Sequence, residues 1–258
     1  MQVSGVHFQI VSRNSNTNYW VPDPFPQWAR LRCLRTYPGG QPGEGVEPHY
    51  HDADEIWLFG GGHGEVWVDG TMSPITPNTL VYTPMGSIHR FQMFSRHEVT
   101  ACVTRLERDR RPLHLYPEEH GAPLPTAPPI VVAGADNVGP LREAGDRCPL
   151  HEMRSISFTA DGDADSTDHV ARETLDRNEH WAVFEGELDL EVDGCQVRLA
   201  AEDIALMRAG AERGIRLVGV SARATVVRER SDDNGRQRVV SVSRVYHAEV
   251  ERQYGERE

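Results

Sequence analysis

The feature that most constrains this chain is an internal repeat at a fixed offset. EIWLFGGGHGEVWVDG (55–70) lies over EHWAVFEGELDLEVDG (179–194) without a gap, and the same offset of 124 carries TLVYTPMGSIH (79–89) onto DIALMRAGAER (203–213). Glu55 meets Glu179, Trp57 meets Trp181, Gly62 meets Gly186, Val68-Asp69-Gly70 meets Val192-Asp193-Gly194, and Gly86 meets Gly210. Seven identities in 35 ungapped positions, with a tryptophan and three glycines among them, mark one structural unit present twice. Any fold proposed must therefore be buildable in little more than 100 residues and must pair with itself.

Both copies read as strands. GEVWVDG and ELDLEVDG alternate with a period of two and end in Asp-Gly, a tight hairpin signal. Helical periodicity is scarce. Residues 107–140 carry Pro112, Pro117, Pro123, Pro125, Pro128, Pro129 and Pro140, which suits an extended connector. Short strands, frequent turns and a duplicated unit predict an all-β chain of two closed or sandwiched domains. The boundaries read as 1–115 for the first domain, 116–140 for a Pro-rich linker and 141–258 for the second domain with its tail. Within that tail, 239–246 is one more strand-like run.

Charge removes several classes of function. With 27 basic against 39 acidic residues and a net charge of −12, neither nucleic acid nor an anionic membrane is an expected partner. No apolar run is long enough to span a bilayer, and MQVSGVHFQIVSRNSN lacks the basic start and apolar core of a secretory signal, so a cytoplasmic protein is expected. Every basic residue is Arg, which rules out lysine Schiff bases and the P-loop lysine. There is no GxSxG elbow and no HExxH. The cysteines Cys33, Cys102, Cys148 and Cys195 show no CxxC spacing and read as reduced, mostly buried thiols.

The residues that carry chemistry sit in the first copy. His49 and His51 alternate on an extended chain and so share a face. A turn at Asp52-Ala53-Asp54 returns Glu55 on the next strand, and His89 follows the Pro84-Met85-Gly86 turn on a neighbouring one. Three imidazoles and one carboxylate form a ligand set for one divalent transition metal: Fe(II), Mn(II), Ni(II), Co(II) or Zn(II). PHYHDADEIWLFGGGHG resembles the first motif of the cupin superfamily in His49, His51, Glu55 and Gly62, with Gly43 one residue from the usual leading glycine. TPNTLVYTPMGSIH resembles the second motif in Pro84, Gly86 and His89, with Asn78 for the leading glycine and Met93 where an asparagine is frequent. The resemblance implies a bicupin, two tandem double-stranded β-helix (jelly-roll) barrels, metal-binding only in the first. It also implies a small-molecule substrate and a homodimer.

At the corresponding positions the second copy has Glu173, Leu175, Glu179 and Arg213. Leu175 offers no ligand atom and Arg213 brings a permanent cation, so a salt bridge to Glu173 or Glu179 is expected in the vacated place. Around the first site, alternation puts Trp57, Phe59, Phe91 and Met93 on the inward face as a barrel core or an apolar substrate wall. Arg30 and Arg32 are candidates to clamp a carboxylate. Tyr50, Tyr82 and His97 are candidate proton donors or acceptors, and His63 reads as exposed in a turn. Three functions fit. They are a mononuclear-metal dioxygenase with Fe(II) favoured, a non-redox isomerase, decarboxylase or lyase using the metal as Lewis acid, and a non-catalytic small-ligand binder.

Overall fold

The computed structural model describes residues 2–4, 8–11, 28–104, 106, 112–132, 148–160 and 169–230; the expected strand at 239–246 lies outside them. The described residues are nearly all β. Two short strands come first, β1 (Gln2–Ser4) and β2 (Phe8–Val11). The first half then holds β3 (Leu31–Gly40), β4 (Gly45–His49), β5 (Glu55–Gly61), β6 (Gly64–Val68), β7 (Thr71–Ile75), β8 (Thr79–Thr83), β9 (His89–Met93) and β10 (His97–Thr104). The connector carries one helical turn, α1 (Pro117–His120), and β11 (Ile130–Val132). The second half holds β12 (Leu150–Thr159), β13 (His169–Thr174), β14 (Glu179–Val192), β15 (Cys195–Ala200), β16 (Ile204–Met207) and β17 (Glu212–Glu229).

The first barrel is two antiparallel sheets, β11-β8-β5-β10-β3 facing β4-β9-β6-β7. In the second half β14 and β17 run long enough to serve both faces, so one eight-stranded sheet wraps around. The repeat is visible in turn geometry. Asp69-Gly70 and Asp193-Gly194 both take positive φ, and each aspartate accepts from a main-chain N–H 19 residues on, Ile88 and Glu212. Gly62 and Gly186 also have positive φ, and a Cβ at either would meet the backbone of a neighbouring strand, His97 or Ser221.

Three apolar layers hold the molecule together. One fills the first barrel (Trp57, Phe59, Val66, Val81, Met93) and one fills the second (Trp181, Val183, Leu188, Leu190, Ala205). The third lies between the halves, where Ile56, Leu58, Leu80 and Tyr82 pack against Leu150, Met153, Ala182, Leu206 and Val227. Glu55–Phe59 and Thr79–Thr83 are therefore buried at every position, because both faces of those strands are covered. The halves also exchange strands. β2 pairs with β16 of the second half, and β11 pairs with β8, the repeat equivalent of β16, in the first. The sequence boundaries placed residues 1–115 in the first unit and 116–140 in a linker. Hydrogen bonding instead puts 2–4 and 8–11 in the second half's sheet and 130–132 in the first half's, where each covers an otherwise open edge.

A buried polar cluster pins the seam. Glu229 Oε1 accepts from the main-chain N–H groups of Arg30 and Leu31, both at 2.8 Å, and from His180 Nε2 at 3.0 Å, while Oε2 accepts from Asn178 at 2.7 Å. Burial pushes this carboxyl up, but the bonds from His180, Leu31 and Asn178 outweigh it and lower its pKa from the ordinary 4.5. The group is thus ionised in the folded protein where an unfolded chain would protonate it. Its contribution is full above pH 4.5 and is lost as pH falls below that. Glu229→Gln is expected to destabilise by about 2–3 kcal/mol at pH 7. Denaturant titrations at pH 7 and pH 4 should show the gap between wild type and variant narrowing at the lower pH; an equal gap at both would contradict this assignment.

Candidate metal centre

His49 ends β4, Glu55 begins β5 and His89 begins β9, with His49 and His89 directly opposite in register. His51 lies just past β4, in the loop to Glu55. Two buried aspartates fix that loop. Asp52 Oδ1 accepts from Leu113 N, and Asp54 accepts from Met85 N and from the Tyr82 hydroxyl. The turn predicted at 52–54 is therefore also a rigid post between two candidate ligands.

Each imidazole is turned by a main-chain carbonyl. His49 Nδ1 donates to Glu47 O at 2.7 Å, His51 Nδ1 to Leu113 O at 2.7 Å, and His89 Nδ1 to Ser87 O at 2.8 Å. A carbonyl only accepts, so Nδ1 carries the proton and every Nε2 offers its lone pair inward. His49 Nε2 lies 3.2 Å from His51 Nε2, and Glu55 Oε2 lies 3.2 Å from both His51 Nε2 and His89 Nε2. The four ligand atoms all fall within 4.8 Å of one another, and all four residues are buried. Among the described residues, Glu55 Oε2 and His89 Nε2 have no hydrogen-bond partner. Buried acceptors aimed at one point repel unless a cation sits among them, and this set fits a divalent transition metal.

Electrostatics keep His49 and Glu55 in ligand form. Burial, together with His51 and His89, pushes His49 down to about 2. Burial opposes the charge on Glu55 less than His51 and His89 favour it, so the carboxyl stays well below its usual range. Burial would lower His51, but Glu55 and the Leu113 carbonyl outweigh it and raise its pKa.

The other candidates divide. Trp57 packs edge-on to His89, ring centres 5.0 Å apart, and the half-buried Phe91 lies 5.2 Å from Trp57. Phe59 and Met93 are fully buried core, not a wall a substrate could reach. Arg32 is buried in the same cross-strand row as Val103 and Glu55, on their face. Arg30 lies off that face: it precedes β3, and its guanidinium donates to Arg230 O at the seam, so the two arginines form no clamp. Tyr50 faces away from its histidine neighbours, packed with Leu113 and Leu115, as alternation requires. Tyr82 is opposite Ile56 in the inter-half layer with its hydroxyl on Asp54. His97 is buried against Gly40, six residues and so about 20 Å along β10 from the Glu55 row. These three corrections share one cause: each side chain points to the wrong face or the wrong end of its strand. His63 is exposed, as expected.

The residue that sequence reasoning missed is His114. Its ring lies 4.7 Å from that of His51 and 5.1 Å from that of His49, and Tyr116 lies 6.5 Å from His49. Partial desolvation beside the ligands and the neighbouring His51 push His114 down to about 4, although the residue keeps an exposed edge. No signal pointed to it, because it lies in the connector and outside the repeat. Among the described cysteines Cys102 and Cys148 are buried, in line with thiols expected to be mostly buried, and Cys195 is exposed at the start of β15.

In the second barrel the vacated place is filled by a cation. Glu173 and Arg213 are opposite in register, as His49 and His89 are. Arg213 donates to Glu173 at 2.6 Å and pairs with Glu179 at 3.0 Å. Glu179 also accepts from Trp181 Nε1 at 2.6 Å and pairs with Arg228 at 3.3 Å. The expected salt bridge thus involves both glutamates at once.

Residues 40–101 match the protein family described as the cupin domain. No curated relative matches the sequence. Among solved structures, AerE from Microcystis aeruginosa is 9% identical with a TM-score of 0.51, covering 90% of this chain and 97% of its own. The protein Ylba from E. coli is 11% identical with a TM-score of 0.52, covering 88% and 92%. Oxalate decarboxylase from Bacillus subtilis, a protein with Mn(II) centres, is 11% identical with a TM-score of 0.54, covering 87% and 73%. At such identities the likeness shows the fold alone. The first half thus carries a cupin-domain match, and the two-barrel fold of the chain is like that of these solved structures. Among the described residues no helix is long and apolar enough to cross a membrane.

Two substitutions separate the barrels. His51→Ala is expected to stay folded and to lose divalent-metal affinity by more than the roughly 10–100-fold that an outer contact costs, read by metal quantification after dialysis. Full occupancy in that variant would contradict the ligand set. Glu179→Gln removes the buried carboxylate shared by Arg213 and Arg228, leaving them the exposed Glu173 and Asp176, and should destabilise by about 3 kcal/mol in denaturant titrations, yet leave metal content unchanged.

Proposed function

We propose that the first barrel holds one divalent transition metal on His49, His51, Glu55 and His89, and that the protein is a metal-dependent oxygenase acting on a small organic substrate. The observation that carries this reading is the convergence of four buried acceptor atoms within 4.8 Å, each ring held by its own carbonyl. Four ligands leave open positions on a six-coordinate ion. Fe(II), when bound, would supply the one-electron chemistry that dioxygen requires. The chain's own residues hold, orient and enclose. Trp57 and Phe91 form a dry floor beneath the ligands, and the carbonyls of Glu47, Leu113 and Ser87 keep the rings from rotating. The displacement of Tyr50, Tyr82 and His97 favours an oxygenase, because it removes three candidate proton carriers from the site.

A second reading, a non-redox isomerase, decarboxylase or lyase, is favoured by His114, an imidazole beside the ligands that could move a proton. Metal quantification on protein purified with and without air, combined with oxygen uptake over a panel of small aromatic and hydroxy acids, separates the two. One iron per chain with substrate-dependent oxygen uptake is the expected result. Stoichiometric zinc or manganese without oxygen uptake would sink the oxygenase in favour of Lewis-acid chemistry.

A further inference from the structure

The connector between the halves does more than join them. Tyr50 and Leu115 exchange two main-chain hydrogen bonds, both 2.9 Å, forming a bridge beside the first candidate ligands. Leu113 is anchored twice, by Asp52 at its N–H and by His51 at its carbonyl. Leu113 and Leu115 turn inward onto Tyr50, so the intervening His114 and the following Tyr116 face the other way, toward His49. Further on, Thr126 N donates to Met85 O, so the segment is held again at the turn that delivers His89.

This path places His114 on the solvent side of the candidate metal centre. The opposite side is closed by Trp57 against His89 and by the barrel core beneath it. His114 and Tyr116 are both exposed, while every one of the four ligand residues is buried. Both rings thus stand beside the ligands with an edge open to solvent. The charge expected there is also defined: a divalent ion with one carboxylate and three neutral imidazoles carries a net +1, which favours an anion at its open positions.

We propose that His114 is a ligand-binding residue of this site, a ring brought in by the connector that donates a hydrogen bond to a small anionic donor ligand taken up on the open face. The proposal rests on the metal-centre reading above. It makes the connector a specificity element of the first barrel, and it explains why Leu113 and Leu115 are locked on either side of an exposed histidine.

The test uses the full chain loaded with Co(II), with azide as the probe anion and the visible cobalt spectrum as readout. Wild type is expected to take up one Co(II) and to change spectrum on azide addition with saturable binding. His114→Ala should retain Co(II) with unchanged affinity and bind azide at least about tenfold more weakly, the loss expected for a hydrogen bond to a charged group. His114→Gln, which keeps an N–H donor, should recover part of that loss, which a purely structural role would not predict. Equal azide affinity in wild type and His114→Ala overturns the proposal, as does a wild-type cobalt protein that ignores azide. Loss of Co(II) itself in His114→Ala overturns it too, since the ring would then be a metal ligand. No Co(II) uptake by wild type removes the metal-centre reading, and the proposal with it.

Discussion

The apolar layer between the halves is the constraint on which the rest of this molecule depends. β5 and β8 in the first half, and β16 with the first part of β14 in the second, bury both faces, one into their own barrel and one into the other half. A sheet covered on both sides must keep every polar main-chain group paired, because no water reaches it. The exchanged strands β2 and β11 complete that pairing at the edges of β16 and β8. Glu229 closes the remaining main-chain donors at the start of β3. Once the halves are fused this way the connector must travel over the first barrel to reach β8's edge, and that route lays Leu113 and His114 beside the candidate ligands.

The two copies answer one electrostatic problem in two ways. Both present ionisable side chains at corresponding places in the same register, four in the first copy and three in the second, where Leu175 stands for His51. In the first, acceptors converge with no donor among them, a set that fits a bound cation. In the second, the Arg213 guanidinium is covalently supplied, 3% exposed, and Glu173 and Glu179 close around it. A permanent ion pair makes a barrel stable without any ligand, at the expense of any open position for chemistry. The scaffold thus tolerates losing the metal set, and the ligand set of the first half is better explained by chemistry than by folding.

Much of this was legible in the residues. The offset repeat predicted two equivalent β-units, and the shared Asp-Gly turns and positive-φ glycines bear it out. His49, His51, Glu55 and His89 were legible because period-two alternation and two short turns are local rules, enough to bring side chains to one face. Arg213 beside Glu173 and Glu179 was legible by carrying that register across the repeat. Where reading failed, the missing fact was non-local. Tyr82 and Trp57 sit on adjacent, equally apolar strands, and nothing in their neighbours states that Tyr82 faces the other half. Residues 2–11 read as part of the first unit because strand exchange leaves no mark on composition.

The sequence by itself determined the duplicated β-architecture, the four converging ligand residues and the replacement of that set in the second copy, since each follows from spacing along the chain. Only the tertiary structure decided that Tyr50, Tyr82 and His97 stand apart from the site, that Arg30 serves the seam, and that His114 joins the ligands across more than sixty residues. The physical reason is that a strand has two faces and a connector many routes. Which face meets the metal and which route is taken are settled by the burial of apolar surface between the halves, a property of the packed molecule that no local pattern encodes.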